Sequence, residues 1–136
     1  MKQQRFLLDI NVLIALGIYD HEFHNRVSLW VSAFRAKAIP EFATCSLTEL
    51  SFVRLLARVP QYGFDVMEAR KLLTGIKSSG LATFTFLTDN HNISNLPLWV
   101  RTHSQLTDGH LVELARSQGF QLATLDKRIP GAILIP

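Results

Sequence analysis

The chain has 136 residues, 48% of them hydrophobic and only 18% charged. That is long and apolar enough to bury a sizeable core, and it excludes a disordered tail. The formal charge of +3 is compatible with a polyanionic partner but does not demand one.

In chain order, "RFLL" (5–8) predicts a short buried strand, and "NVLIALGI" (11–18) a helix with Asn11 at or near its cap. Asp9, Asn11 and Asp20 interrupt the apolar runs well before the ~20 residues of a membrane span, and no signal peptide follows Lys2 and Arg5. Residues 24–37 carry apolar side chains at helical spacing, at 27, 30, 31 and 34. "FATC" (42–45) is a second strand, and it holds the one cysteine, Cys45, so no internal disulfide can form. Ser46 and Glu49 have the spacing of a capping box for a helix over 46–59, which Pro60 ends. Asp65 and Glu68 repeat the device for a helix over 65–79, before Gly80.

"TFTFL" (83–87) is a third strand, followed by a polar loop over 88–98. A helix over 107–119 has Thr107 as its cap and Gly119 just past its end. "QLATL" (121–125) and "AILI" (132–135) complete five strands. Strands alternating with helices predict a parallel α/β sheet covered on both faces. With no linker or repeat, one domain over 1–136 is expected, in a cytoplasmic protein without membrane association.

A carboxylate between "FLL" and "VLIAL" is costly unless something compensates it. Asp9 and Asp126 each follow a strand, and Glu49 and Asp108 each fall in the first turn of a helix. In a parallel α/β sheet those positions share one edge, where such sheets hold ligands. Each acid also has an ordinary reading: Glu49 and Asp108 as helix N-terminal acids, Asp126 as a turn residue. Four carboxylates on one rim repel each other unless a cation sits among them, and their hard oxygens suit Mg²⁺ or Mn²⁺.

The stretches "LLDINVLIAL", "FATCSLTELSFVRLL" and "LTDGHLVELARSQGFQLATLDKRI" resemble, in order and spacing, the PIN-domain ribonucleases, in particular the VapC-type toxins of bacterial toxin–antitoxin systems. The resemblance implies a three-layer α/β/α fold with a five-stranded, mainly parallel sheet. It implies a metal-dependent RNA endonuclease, usually dimeric and held inactive by a cognate antitoxin. It matches Asp9, Glu49, Asp108 and Asp126 to the family's acids, Asn11 to a residue orienting the first of them, and Thr107 to a hydroxyl beside the third. Asp9, Asp108 and Asp126 are then metal ligands, and Glu49 either a further ligand or the group that deprotonates the attacking water. Hydrolysis by water leaves 5′-phosphate and 3′-hydroxyl ends. Gly109 stands where similar sequences often have Ala and lowers helix propensity there.

Arg54, Arg101, Lys127 and Arg128 are candidate RNA phosphate contacts. Trp99 is a candidate for base stacking, while Trp30 sits at core spacing. The histidines have no metal-ligand spacing, although His110 lies close to Asp108. Two other functions compete. A haloacid-dehalogenase-type phosphatase also places an Asp after its first strand, but needs a second acid where this chain has Asn11. A catalytically inactive PIN-like module that binds RNA or protein would not need the complete acidic quartet.

Overall fold

The computed structural model describes residues 4–136. The short apolar runs become strands β1 (Arg5–Leu8), β2 (Glu41–Cys45), β3 (Thr83–Leu87), β4 (Gln121–Thr124) and a two-residue β5 (Ile133–Leu134). All pair in parallel, in the order β3-β2-β1-β4-β5. The helices are α1 (Ile10–Gly17), α2 (His24–Arg35), α3 (Ser46–Arg58), α4 (Val66–Ser78) and α5 (Leu106–Ser117). Among the described residues no helix is long and apolar enough to cross a membrane.

Register follows from which side chains alternate to which face. Phe6 lies beside Phe42 and Leu8 beside Ala123, and these join one core with Val12 and Leu13 of α1, Trp30 of α2, Phe52 and Leu56 of α3 and Leu73 of α4. Leu7 lies between Ala43 and Leu122, and this opposite face packs on Leu111 and Leu114 of α5. The result is the expected α/β/α sandwich. Trp30 is a core residue, stacked on Phe42 at 5.5 Å between ring centroids, and is not available to a base.

The helix starts depart from the expected caps in three places, and two of these matter for the acids. Asp9, not Asn11, caps α1, accepting the Ile10 N–H at 2.8 Å. At α3 the cap is Cys45, and Thr48 reaches back to the Cys45 N–H at 3.0 Å, so Glu49 is released from any capping role. Helix α5 begins at Leu106 after Gln105, which leaves Thr107 inside the first turn. The Asp65–Glu68 box on α4 forms as expected, with reciprocal bonds of 2.8 and 3.0 Å. Gly119 ends α5 at φ +80°, where a side chain would be strained, and lets the Phe120 N–H return to Ala115 O at 2.9 Å.

Gly109 has a packing reason that its sequence context hides. It is buried on α5, and a Cβ built there would overlap Val100 Cγ2 and touch Pro97. The loop between β3 and α5 therefore closes over a helix surface that has no side chain. Gly109→Ala gains roughly 1 kcal/mol of intrinsic helix propensity, but it must displace Val100. We expect the single variant to lower the melting temperature, and Val100→Ala in the Gly109→Ala background to recover part of the loss. Additive effects in the double-mutant cycle would show that the two positions do not share this contact.

Candidate active site

With β1 at the centre, the chain winds outward through β2 and β3, then returns to the other side of β1 as β4 and β5. The crevice at the carboxyl ends of β1 and β4 is thus the topological switch point, where open α/β sheets bind ligands. Asp9 follows β1 directly and Asp126 lies two residues beyond β4. The first turn of α5 adds Asp108.

Asp9 is only 6% exposed. Its Oδ1 accepts the Ile10 N–H, and its Oδ2 accepts the Thr124 hydroxyl at 2.7 Å. Thr124, at the end of β4, is itself buried, and its oxygen also accepts the Asp126 N–H at 3.0 Å and the Asn11 amide at 3.4 Å. Asn11 Oδ1 in turn accepts the Leu125 N–H at 3.2 Å. Thr124 therefore ties β1, α1 and the β4 exit together through one hydroxyl whose donor and acceptors are all engaged. Asn11 acts on Asp9 through Thr124.

Burial is the largest influence on Asp9 and holds its carboxyl above the usual aspartate range, with the charge of Asp126 adding to the effect. The bonds from Thr124 and Ile10 oppose the rise without cancelling it. Asp108 is raised as well, first by burial and then by the charges of Asp9 and Asp126. The three acids are thus close enough to repel one another. Asp126 behaves differently because Arg128 neutralises it. The guanidinium donates from Nε to Oδ1 at 3.0 Å and from Nη2 to Oδ2 at 3.1 Å, and the Arg128 N–H adds a bond of 2.9 Å. This fork holds the Asp126 carboxyl below its usual range. Asp108, Asp126 and Arg128 line a cleft of about 180 Å³ together with Trp99, whose ring also rests on the α5-side core.

Glu49 is on the same edge but has other partners. Its Oε2 accepts both the Thr44 hydroxyl and the Lys77 ammonium at 2.6 Å, and it lines a separate groove between α3 and α4. Glu49 therefore does not share the cleft of Asp108 and Asp126. Thr44, Thr124 and Lys77 were not among the expected site residues. The two threonines carry a readable signal, being polar residues near the carboxyl ends of strands, just before the helix and loop that follow. Lys77 carries none, because α4 is distant in sequence and its approach to α3 is a tertiary fact.

Arg54, Arg101 and Lys127 are exposed, as phosphate contacts must be, and none makes an ion pair among the described residues. Arg128 is exposed at its tip but engaged with Asp126. Thr107 does not contact Asp108's cleft; it lines a neighbouring one with His110. Among the described residues no group of three or more His, Cys, Asp or Glu side chains is arranged to hold a metal ion. Asp9 and Asp126 instead have both oxygens bonded within the protein. The donor set nevertheless fits a hard divalent cation, since it is three carboxylates whose mutual repulsion a cation would relieve.

A three-layer α/β/α domain with a carboxylate crevice at the switch point is the PIN arrangement. Comparisons with known proteins carry this further. No family model matches the chain. It is 37% identical to ribonuclease VapC38 of Mycobacterium tuberculosis over 124 residues, 88% of this chain and 84% of that protein. It is 35% identical to ribonuclease VapC29 of the same species over 136 residues, 96% of each chain. Among solved structures, VapBC2 from Rickettsia felis bound to a DNA fragment from their promoter superposes with a TM-score of 0.58 over 96% of this chain and 97% of that one, at 14% identity. The chain belongs to the VapC-type PIN-domain ribonucleases.

The repulsion among the acids has a thermal signature. An acid whose carboxyl is raised in the folded state loses stability as pH climbs above the ordinary aspartate value of 3.8. Asp108→Asn should therefore raise the melting temperature at neutral pH without divalent ions by about 2–4 °C, after allowance for solvent screening. The gain should disappear below about pH 3.8, where both proteins are neutral at this position. A lower melting temperature for Asp108→Asn at pH 7 would show that the charge of Asp108 supports the fold.

Proposed function

We propose that the chain is a Mg²⁺- or Mn²⁺-dependent endoribonuclease, the toxin of a toxin–antitoxin pair. The observation that carries the reading is the convergence of Asp9, Asp108 and Asp126 at the switch point, with Asp9 and Asp108 raised by burial and by neighbouring acids. Unneutralised acids in that position cost stability, and a polyanionic backbone could not approach them without a cation. The names of the curated relatives support an RNA substrate, and the VapBC2 complex supports a protein antitoxin.

Asp9, Asp108 and Asp126 would hold the ion. When bound it lowers the pKa of a water and offsets charge developing on the phosphate oxygens. The chain's own residues do the rest. Thr124 and the Ile10 N–H fix the Asp9 carboxylate from behind. Thr44 and Lys77 both bond Glu49 Oε2, which leaves Oε1 to orient the attacking water or accept its proton. Arg128, now bonded to Asp126, would be free to turn to a phosphate were a cation to take its place, and Arg101, Lys127 and Arg54 are further exposed cations for the backbone. The present fork of Arg128 on Asp126 also illustrates how this crevice accepts a guanidinium. An antitoxin segment bearing Arg or Lys would inhibit by the same chemistry. We further propose that the protein works as one PIN unit over residues 1–136, as a homodimer, in the cytoplasm.

Incubation of the purified protein with total RNA tests the reaction. Cleavage should need Mg²⁺ or Mn²⁺, stop in chelator, leave 5′-phosphate ends, and fall more than about a hundredfold in Asp9→Asn, Asp108→Asn and Asp126→Asn. Undiminished cleavage by metal-free protein would remove the mechanism. Expression in bacteria should arrest growth, and Asp9→Asn should restore it. Normal growth with abundant active protein would leave a ribonuclease that is not a toxin.

A further inference from the structure

Beside the acidic crevice lies a second cleft that the reaction as described does not use. It has a volume of about 280 Å³ and sits between the first turns of α3 and α5, with the loop after β3 closing its far side. Those two turns also carry Glu49 and Asp108, so the cleft lies on the same edge of the sheet as the acids. Leu47, Leu96 and Leu106 give it apolar walls, and Ile93 stands at its lip. Ile93 is 77% and Leu106 42% exposed, an unusual state for two large apolar residues side by side.

Two histidine rings complete the lining, 6.3 Å apart and edge to face. Asp89 holds both residues: its Oδ2 pairs with His110 Nε2 at 2.5 Å, and its Oδ1 accepts the backbone N–H of His91 at 2.9 Å. With Nε2 held by that carboxylate, His110 Nδ1 is left for another partner. His91 Nδ1 is buried and has no hydrogen-bond partner. Native proteins leave few such atoms unpaired unless a ligand or water meets them, and this one belongs to a residue that lines the cleft.

We propose that this cleft is a base pocket, which takes one unstacked nucleobase of single-stranded RNA next to the cleaved phosphate. Single-stranded RNA is read in this way, by bases splayed onto aromatic or apolar surfaces and bonded along their edges. The volume suits one base and little more. The Nδ1 atoms of His91 and His110, neither bonded among the described residues, match the two N–H groups of one exocyclic amine. The pocket therefore favours the amine-bearing bases cytosine, adenine and guanine over uracil, which offers a single N–H. This assignment rests on the ribonuclease reading for its substrate class, but its test does not depend on cleavage.

The full chain, ¹⁵N-labelled at histidine and held with Ca²⁺ in place of Mg²⁺ or Mn²⁺, so that the crevice is neutralised while RNA stays intact, is titrated with hexanucleotides of C, A or U. We expect oligo-C or oligo-A to shift the ring signals of His91 and His110 and to bind about tenfold more tightly than oligo-U. His91→Ala and His110→Ala should each reduce that preference to within about twofold. The proposal is overturned if both rings stay silent with every RNA, if oligo-U binds best, or if the preference survives both substitutions. The wild-type ring signals decide the matter even where a variant fails to fold. A ring response without metal-dependent cleavage of any RNA would withdraw the ribonuclease reading and keep the pocket. Cleavage with silent rings would do the reverse.

Discussion

Like charges in a half-buried crevice are the constraint on which the rest of this structure depends. Asp9 cannot move away, because it caps α1 and is bonded by Thr124. Asp108 cannot either, because α5 is pinned by Leu111 and Leu114 against the sheet and by Val100 over Gly109. The fold holds these carboxylates together against their repulsion, and the two cores on either side of the sheet supply the rigidity to do it. Arg128 partly relieves the strain at Asp126, yet Asp9 and Asp108 remain raised.

The two threonines show how little chemistry is needed to place an acid. Thr44 is the penultimate residue of β2 and bonds Glu49, and Thr124 ends β4 and bonds Asp9. Each is a buried hydroxyl near the carboxyl end of its strand. In both cases the hydroxyl reaches an acid at a helix start, and one carboxylate oxygen is fixed. Glu49 receives a second fixed partner in Lys77 and lines the groove between α3 and α4, apart from the cleft of Asp108 and Asp126.

Much of this was legible in the sequence, for reasons that differ between elements. "RFLL" and "TFTFL" mark β1 and β3 to the residue, the first as a short buried apolar run at the centre of the sheet and the second as an alternating β-branched and aromatic run at its edge. Asp9 was conspicuous as a charge where the first run should continue. The caps were less legible. Ser46–Glu49 has the right spacing for a capping box, but the cap falls one residue earlier, on Cys45, whose N–H Thr48 takes, and Glu49 bonds Thr44 and Lys77 instead. Thr107 looked like a cap because the preceding 3-10 turn over His103–Gln105 has no clear sequence signature. Contacts between distant elements were not legible at all. Lys77 on Glu49, Val100 over Gly109 and Asp89 on His110 depend on how helices and loops meet, and no local pattern encodes that.

The central claim is that Asp9 interrupts an apolar run so that the crevice can hold a divalent cation. Thermal unfolding of the full chain with and without Mn²⁺ tests it most directly, since an ion that binds only the folded state raises the melting temperature by linkage. At the same ion concentration the wild-type protein should be stabilised by several degrees, and Asp9→Asn should keep its fold and show almost none of that shift. Equal stabilisation of both proteins, or of neither, would contradict the account.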